Sequence, residues 1–415
     1  MRQLQCLTGL RGVAAYSVLM AHAAAYAYPG APTIPHYIHG LPYFGMSLFF
    51  VLSGFVIHYN YARMFRTDGL AAGGKKFFIA RFARLYPLYF VVLILSVAYG
   101  GGSEFTRDPW IALTCLTLTH SWLDFTSSVG DVGGFSWSVS TEAMLYVFFV
   151  FLILPIEKIR QPAVAMLVLT VGGFLALLLL FFNLSAVMEA IAPLVPQNKK
   201  VSFDAQRWLI YFSPYVRSLD FFLGVFASRV FLSLQDHPLG KPRTTFVIVT
   251  AMLRWCLLVI AWTPFAKSPL FQFFLQNLIF APAIATALIF LCRYQTSWSR
   301  LFSHPALLVA GEISYSVYLL QIIAFLPFRG AFNVGPQDTS LAGLANGSLR
   351  LVFMLGAASM LGYGSYWLIE RPARDYLRAR LSSDARARAR REAEDAGLNG
   401  TPTPAPQLAR FQSAG

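Results

Sequence analysis

Residues 7–27 read LTGLRGVAAYSVLMAHAAAYA, an apolar stretch long enough to cross a bilayer as one helix. It carries two ionisable side chains, Arg11 and His22, which are costly to bury in lipid and usually functional where they occur. Because a helix turns about 100° per residue, His22 lies within about 20° of the face of Arg11 and about 16 Å further along the axis. The pair therefore predicts a cation and a proton acceptor at opposite ends of one slot. The structural alternative is that Arg11 reaches the head groups while His22 caps the far end.

The composition predicts an all-α polytopic membrane protein. Hydrophobic residues make up 56% of the chain, charged residues 13%, and the mean hydropathy is +0.56, whereas a soluble domain carries about 25% charged residues. Segment 111–123 is apolar but short, which favours a re-entrant or interfacial segment. About ten transmembrane helices are predicted, near residues 7–27, 43–61, 84–101, 137–155, 163–183, 209–232, 246–264, 271–292, 306–328 and 349–369.

The distribution of positive charge predicts the orientation of the chain. Most of the 33 lysine and arginine residues fall on one side of the membrane if the N-terminus is cytosolic. This asymmetry predicts that both termini lie in the cytosol. It also accounts for the net charge of +14 without nucleic acid as a partner. The expected location is the bacterial inner membrane, as a multi-pass protein. A signal peptide cleaved near Ala27 is the alternative for the N-terminus, and it would remove both Arg11 and His22.

The chain is expected to divide into two parts. Residues 1–373 form the transmembrane domain, and residues 374–415 form a cytosolic basic helix, resting on membrane lipid, and a disordered Pro-rich tail. The four cysteines are scattered without metal spacing, so free thiols are expected. The remaining histidines form no metal motif, and no metal site is predicted. They are expected in loops or at interfaces: His36, His39, His58, His120, His237 and His304.

Arg81, Arg84 and Glu142 are candidates for substrate binding or catalysis. Arg81 and Arg84 are neighbours on one helix face and suit phosphate, although ordinary positive-inside anchors would have the same spacing. Glu142 lies near the start of a predicted helix, where capping is the alternative role. The predicted topology brings Glu142 and His22 to a similar depth near the outer side, so these two side chains could meet.

Other segments leave alternatives open. FGMSLFFVLSGFVI, residues 44–57, contains small residues and is interpreted first as a packing surface and second as a substrate wall. Glu370 is expected to pair with a nearby arginine. One functional interpretation is a transporter or flippase for a glycan or small molecule, its path lined by Arg217, Arg254 and Arg350. A membrane scaffold without catalysis is another interpretation.

Six segments in order resemble the acyltransferase 3 family of integral-membrane acyltransferases, from Leu7 to about Arg374. One such fragment would be weak, whereas six in the order of the family are specific. No SGNH-type esterase domain follows the last motif, so the stand-alone form is expected. The segments are LTGLRGVAAYSVLMAHA, FGMSLFFVLSGFVI, RFARLYPLY, WSVSTEAMLYVFF, ISYSVYLLQ and IERPAR.

The resemblance implies transfer of an acyl group, usually acetyl from acetyl-CoA, to a hydroxyl group. Acceptors in the family are carbohydrates, lipid-linked glycans or glycosylated small molecules. By position, the resemblance implies catalytic roles for His22 and Glu142, with Arg11 as the motif partner of His22, and binding of the acyl-CoA donor by Arg81 and Arg84. Arg11 is expected to help hold the phosphates of the donor. No permanently bound cofactor is expected, and a homo-oligomer is compatible with the resemblance.

Further residues are assigned to the substrate, and two depart from the family pattern. Ser47 stands where aspartate is common and Gln321 where histidine is frequent; both departures bear on the acceptor more than on the reaction. Substrate contacts are expected from Trp137, Ser138, Tyr146 and Tyr315.

Overall fold

In a computed structural model, the structure describes residues 4–28, 38–98, 109–123, 136–192, 203–235, 242–328, 340–376 and 379–380. These residues form helices and turns and contain no strand, which confirms the all-α prediction. Two π-helices (Trp208–Phe212 and Tyr366–Glu370) and a 3-10 helix (Leu326–Phe328) adjoin the α-helices. The α-helices are α1 (Gln5–Ala27), α2 (Gly40–Ser96), α3 (Pro109–Leu116), α4 (Trp137–Glu157), α5 (Pro162–Phe182), α6 (Leu184–Ile191), α7 (Phe203–Arg207), α8 (Pro214–Ser233), α9 (Pro242–Trp262), α10 (Pro269–Gln276), α11 (Ala281–Leu291), α12 (Ser297–Phe302), α13 (Pro305–Glu312), α14 (Ser314–Phe325) and α15 (Leu341–Ser365).

Helix α2 is a hairpin of two arms that turns at Gly69. Its 57 residues far exceed the roughly 20 needed to cross a bilayer. Gly69 has φ 75° and ψ 176°, a conformation open to glycine because it has no Cβ. Across the turn, Phe65 and Phe77 lie with ring centroids 5.9 Å apart. The first arm therefore precedes Gly69 and the second follows it, in agreement with two separate spans.

Among the described residues, six helices are long and apolar enough to cross a membrane, or seven if α13 and α14 form one bent span. The six comprise α2, α4, α5, α9, the segment Pro269–Leu291 and the segment Leu341–Tyr376. Helices α1 and α8 have 23 and 20 residues but carry ionisable groups, and they are not among the six. The count of about ten spans therefore stays a prediction. The eight-residue α3 is too short to cross a bilayer, as expected for segment 111–123.

Helices α13 and α14 are bent by 68° about Ile313, within a stretch predicted as one span. The Ser314 hydroxyl donates to the Gly311 carbonyl over 2.8 Å, so a side chain contacts backbone at the break. Gly311 also packs against the backbone of Thr8 on α1, which leaves no room there for a larger side chain. The bend places the start of α14 beside the cavity that Ser314 lines.

A close crossing joins α8 to the first arm of α2. A Cβ atom on Gly54 would collide with the Phe221 carbonyl oxygen, and one on Gly224 would collide with the Val51 carbonyl oxygen. The two backbones therefore touch through a reciprocal pair of glycines, as small residues permit in membrane helix packing. This contact fixes the arm of α2 that forms one wall of the candidate site.

Gly224→Ala is expected to destabilise the protein by about 1–3 kcal/mol, because the added methyl group must push two packed backbones apart. The measurement is the thermal unfolding midpoint of the purified protein in detergent. Gly172→Ala is the matched control, since nothing lies within 4 Å of its Cβ position and alanine favours helix. Equal effects of the two substitutions would contradict the close crossing.

One of the predictions for histidines is wrong. His58 is buried inside α2 rather than in a loop or at an interface, because polar partners satisfy it in the interior. His120 lies in the turns that follow α3, as expected of a loop residue, although it is buried there. His58 contacts Glu157 and Ser228, each over 2.9 Å, and His120 contacts the Ser136 hydroxyl over 3.3 Å. All four cysteines are buried, and none of them forms a disulfide, in agreement with the expected thiols. His36, His237 and the tail from residue 381 lie outside the described residues.

Candidate active site

A cavity lies between α1, both arms of α2, α4 and α14. Its empty volume is about 810 Å³, the open mouth included, which is within the range of small-molecule sites. Most of the wall is apolar, and the charged side chains in it are three arginines and one glutamate. The lining residues are Arg11, Met46, Phe49, Phe50, Leu52, Ser53, Val56, Ile57, Arg81, Arg84, Leu85, Ser138, Val139, Glu142, Tyr146, Ser314, Tyr315 and Tyr318.

The structure brings together Arg11, Arg81 and Arg84, which the sequence assigned to the donor. Nη2 of Arg81 donates to the Tyr61 hydroxyl over 2.7 Å, and its guanidinium lies 4.8 Å from the centroid of the Tyr61 ring. Arg11 and Arg84 form no hydrogen bond or ion pair with any residue in the described ranges. Since a guanidinium carries five N–H donors, these two groups are available to an anionic ligand.

Two carboxylates balance part of this charge. The Ser53 hydroxyl donates to Oε1 of Glu142 over 2.6 Å, and the Ser316 hydroxyl donates to Oε2 of Glu370 over 2.9 Å. Both carboxylates attract the Arg11 guanidinium electrostatically. Glu370 also attracts Arg84 and Arg374. Three guanidinium groups and two carboxylates leave the cluster positive when all five are ionised.

Ser53 is a residue that sequence reasoning did not assign to the site. Its segment was interpreted as a packing surface first, and its neighbour Gly54 does pack against α8. Ser53 itself lines the cavity and holds Glu142. The secondary interpretation of the segment as a substrate wall was the signal that pointed to this role.

His22 lies beyond the cavity wall and contacts α14. Its Nδ1 is 3.2 Å from Oε1 of Gln321, whose Nε2 donates to the Tyr318 carbonyl oxygen over 2.8 Å. His22 does not line the cavity, whereas Tyr318 does. Since α14 runs from Ser314 through Tyr318 to Gln321, His22 lies past the end of the cavity that Tyr318 lines.

The structure does not bring His22 and Glu142 into contact, although the predicted topology suggested that they could meet. Glu142 contacts Ser53 and attracts Arg11 and Arg81, so it belongs to the arginine cluster. Span boundaries predicted only to within several residues do not define which residues of two helices lie at the same depth.

Three of the four residues expected to contact substrate line the cavity: Ser138, Tyr146 and Tyr315. The Tyr315 hydroxyl donates to the Leu85 carbonyl over 2.6 Å, so it anchors the second arm of α2. Trp137 is instead buried beside the cavity, with its ring centroid 4.9 Å from that of Phe212. No group of three His, Cys, Asp or Glu side chains suited to a metal occurs in the described part of the chain.

The arginines assigned to a translocation path have different surroundings. Arg217 is fully buried, and its Nη1 is 3.5 Å from Oδ2 of Asp220, which also accepts from the Ser47 hydroxyl over 3.0 Å. Arg350 is buried and donates to the Tyr26 carbonyl over 3.3 Å, whereas Arg254 is exposed. None of these three arginines lines the cavity. The structure therefore offers no support for the path.

Asp220→Ala is expected to destabilise the protein by about 3–5 kcal/mol, because it leaves a fully buried guanidinium without its carboxylate. The measurement is again the unfolding midpoint in detergent. Asp375→Ala is the control, since Asp375 pairs with Arg371 at the surface and such pairs contribute about 0–1 kcal/mol. A small effect at both positions would show that Arg217 finds another partner.

Comparison with known proteins decides the family. A family model described as an acyltransferase domain matches residues 4–368, nearly the whole chain. The chain belongs to the acyltransferase 3 family. Together with its apolar helices, this makes it a multi-pass membrane acyltransferase.

The relatives of this chain differ in the share of their own length that the alignment covers. Acyltransferase MdmB of Streptomyces mycarofaciens is 27% identical over 390 residues, which is 89% of this chain and 91% of MdmB. Protein 2 in the picA locus of Rhizobium radiobacter is 39% identical over 94 residues, 22% of this chain and 44% of that protein. A Staphylococcus aureus protein named as an O-acetyltransferase is 21% identical over 370 residues, 85% of this chain and 56% of the relative. No solved structure matches.

Proposed function

We propose that the acyltransferase moves an acyl group, acetyl in the simplest case, from acyl-CoA to a hydroxyl group of a carbohydrate or glycosylated acceptor. The observation that carries this proposal is the pair of guanidinium groups, Arg11 and Arg84, that face a mostly apolar cavity and form no hydrogen bond or ion pair within the described ranges. Arginine suits phosphate by charge and by its planar fork of donors. A ligand with phosphates at one end and an uncharged chain at the other matches this wall.

The donor would lie along the cavity with its phosphates at Arg11, Arg81 and Arg84. The pantetheine arm is uncharged and extended, which suits the apolar wall towards Tyr318. Arg11 and His22 are separated by about 16 Å of helix rise, so one end of α1 holds phosphate while the other meets the thioester. We propose that the arginine end faces the cytosol of a bacterial cell, where acyl-CoA is available.

His22 would act as the general base. Its Nε2 takes the proton of the acceptor hydroxyl while the acceptor oxygen attacks the thioester carbonyl carbon. The C–S bond then breaks, and the imidazolium returns the proton to the CoA thiolate. Glu142, held by Ser53, would keep the arginine cluster in position for the donor. A covalent acyl-histidine step is the alternative chemistry.

The nature of the acceptor rests on the family and the relatives. The Staphylococcus aureus relative is named for O-acetyl transfer, which supports a hydroxyl group as acceptor. The acceptors implied for the family are surface carbohydrates, lipid-linked glycans and glycosylated small molecules. MdmB, which the chain covers over 91% of its length, is named as an acyltransferase, and this name leaves the acceptor open.

Transfer can be tested with purified protein in lipid nanodiscs and acetyl-CoA labelled in the acetyl group. Label is expected to appear on glycan or glycoside acceptors separated by mass spectrometry. Incubation without an acceptor discriminates between the two mechanisms, because only an acyl-histidine route leaves label on the protein. In sealed proteoliposomes, which separate two compartments, movement of a glycan across the bilayer without any acetylated product would favour the transporter instead.

A further inference from the structure

We propose that Gln321 is a positioning residue that sets the tautomer of His22. Sequence reasoning treated this glutamine as a departure that bears on the acceptor. In the structure its side chain is fully buried on α14 and contacts His22 on α1. The consequence for catalysis rests on the proposed function, whereas the tautomer itself can be measured without any activity.

The contact between Gln321 and the Tyr318 carbonyl determines which end of the Gln321 amide is oxygen and which is nitrogen. The Tyr318 carbonyl oxygen can only accept a hydrogen bond, so the group 2.8 Å from it must be the NH₂ of Gln321. The amide oxygen of Gln321 then points to His22. A flipped amide would set two acceptors against each other in the protein interior, which is costly.

The amide oxygen in turn determines the proton on His22. An amide oxygen accepts and cannot donate, and Nδ1 of His22 lies 3.2 Å from it. Nδ1 must therefore carry hydrogen, and in the neutral ring the lone pair lies on Nε2. That is the form a general base needs if Nε2 takes the proton of the acceptor.

The surrounding helices hold this contact in place. Leu19 and Ala23, on either side of His22, pack with Val317 and Phe325 of α14 in one buried cluster. Helix α15 brings Arg350 to the same end of α1, where the guanidinium bonds the Tyr26 carbonyl. Gln321 is thus a neutral acceptor for the ring in a tightly packed region, where a carboxylate would add a buried charge.

The tautomer can be read by solid-state NMR of protein labelled with ¹⁵N-histidine in lipid bilayers. The His22 signals are assigned by their loss in His22→Asn. We expect a protonated Nδ1 and an unprotonated Nε2 in the wild-type protein at neutral pH. In Gln321→Met, which has a similar volume but no acceptor, we expect a mixture of tautomers or the Nε2–H form. A wild-type ring with hydrogen on Nε2 alone, or no change in Gln321→Met, would overturn the proposal.

Kinetics provide the second readout. Gln321→Met is expected to lower kcat for acyl transfer roughly 10–100-fold, the range typical of residues that orient a functional histidine, with KM for acetyl-CoA unchanged. Gln321→Glu keeps an acceptor oxygen, and its negative charge favours the imidazolium. That variant should retain transfer, with the acid limb of its pH–rate profile displaced upward by about one pH unit or more.

Gln272→Met is the matched control, because Gln272 on α10 also donates to a backbone carbonyl, that of Ala266 over 2.8 Å. It should leave both the tautomer and kcat unchanged. If neither wild type nor variants transfer acetyl, the proposed function fails while the NMR comparison still decides the role of Gln321. If transfer occurs and Gln321→Met matches the control in both readouts, Gln321 only fills space.

Discussion

Replacing His22 with asparagine is expected to lower kcat for acetyl transfer by roughly 10²–10⁴-fold, the contribution typical of a general base. Asparagine keeps a polar group near Gln321 but cannot accept a proton at neutral pH. KM for acetyl-CoA should stay close to the wild-type value, because His22 lies past the end of the cavity and away from the arginine cluster. The measurement is steady-state transfer to one saturating acceptor.

His304→Asn is the matched control for this loss. His304 is exposed at the start of α13, where its Nδ1 accepts from the Ala306 amide, and asparagine is a favourable residue at that position. This variant should transfer acetyl at the wild-type rate. General-base catalysis contributes more than about tenfold to kcat. If kcat of His22→Asn stays within about tenfold of the wild-type value, His22 is therefore not the base.

The sequence predicted the components of the site better than their arrangement. Two ionisable residues on one face of an apolar helix pointed directly to α1, since burial of charge in lipid is rarely without function. In the structure Arg11 lines the cavity, whereas His22 does not line it and instead contacts α14, which also contributes to the cavity wall. The single slot predicted for the pair is therefore not what the structure shows. Helical periodicity is a local property, so it could be derived from one segment alone.

Contacts between distant segments could not be derived in this way. Glu142 bonds Ser53 rather than approaching His22, and Gln321 reaches His22 across a separation of 299 residues. Both contacts depend on how far one helix is shifted and rotated against another. The bend of 68° about Ile313 also alters the course of a span that was predicted to be continuous. Hydropathy predicts which segments are buried, but it does not predict which face of one helix packs against which face of another.

Arg84→Gln is expected to reduce the preference for acetyl-CoA over S-acetylpantetheine by roughly 10–100-fold in kcat/KM. A hydrogen bond to a charged group contributes about 1.5–3 kcal/mol, and about 1.4 kcal/mol corresponds to tenfold. S-acetylpantetheine has the thioester but none of the nucleotide phosphates, so the loss should be confined to acetyl-CoA. Arg84→Lys should show a preference for acetyl-CoA between those of the wild-type protein and Arg84→Gln, because lysine keeps the charge and loses the fork of donors.

Arg81→Gln and Arg300→Gln are the control variants for Arg84→Gln, and each is measured with both acetyl-CoA and S-acetylpantetheine. Arg81 bonds Tyr61 and lies over its ring, so its loss should impair packing and reduce transfer from both donors. Arg300 is on α12, outside the cavity, and its loss should affect neither donor. Arg84 forms no hydrogen bond or ion pair with the residues that the structure describes, so of these three variants only Arg84→Gln should discriminate between donors with and without phosphate. Equal losses on both donors in Arg84→Gln would mean that this guanidinium does not bind phosphate.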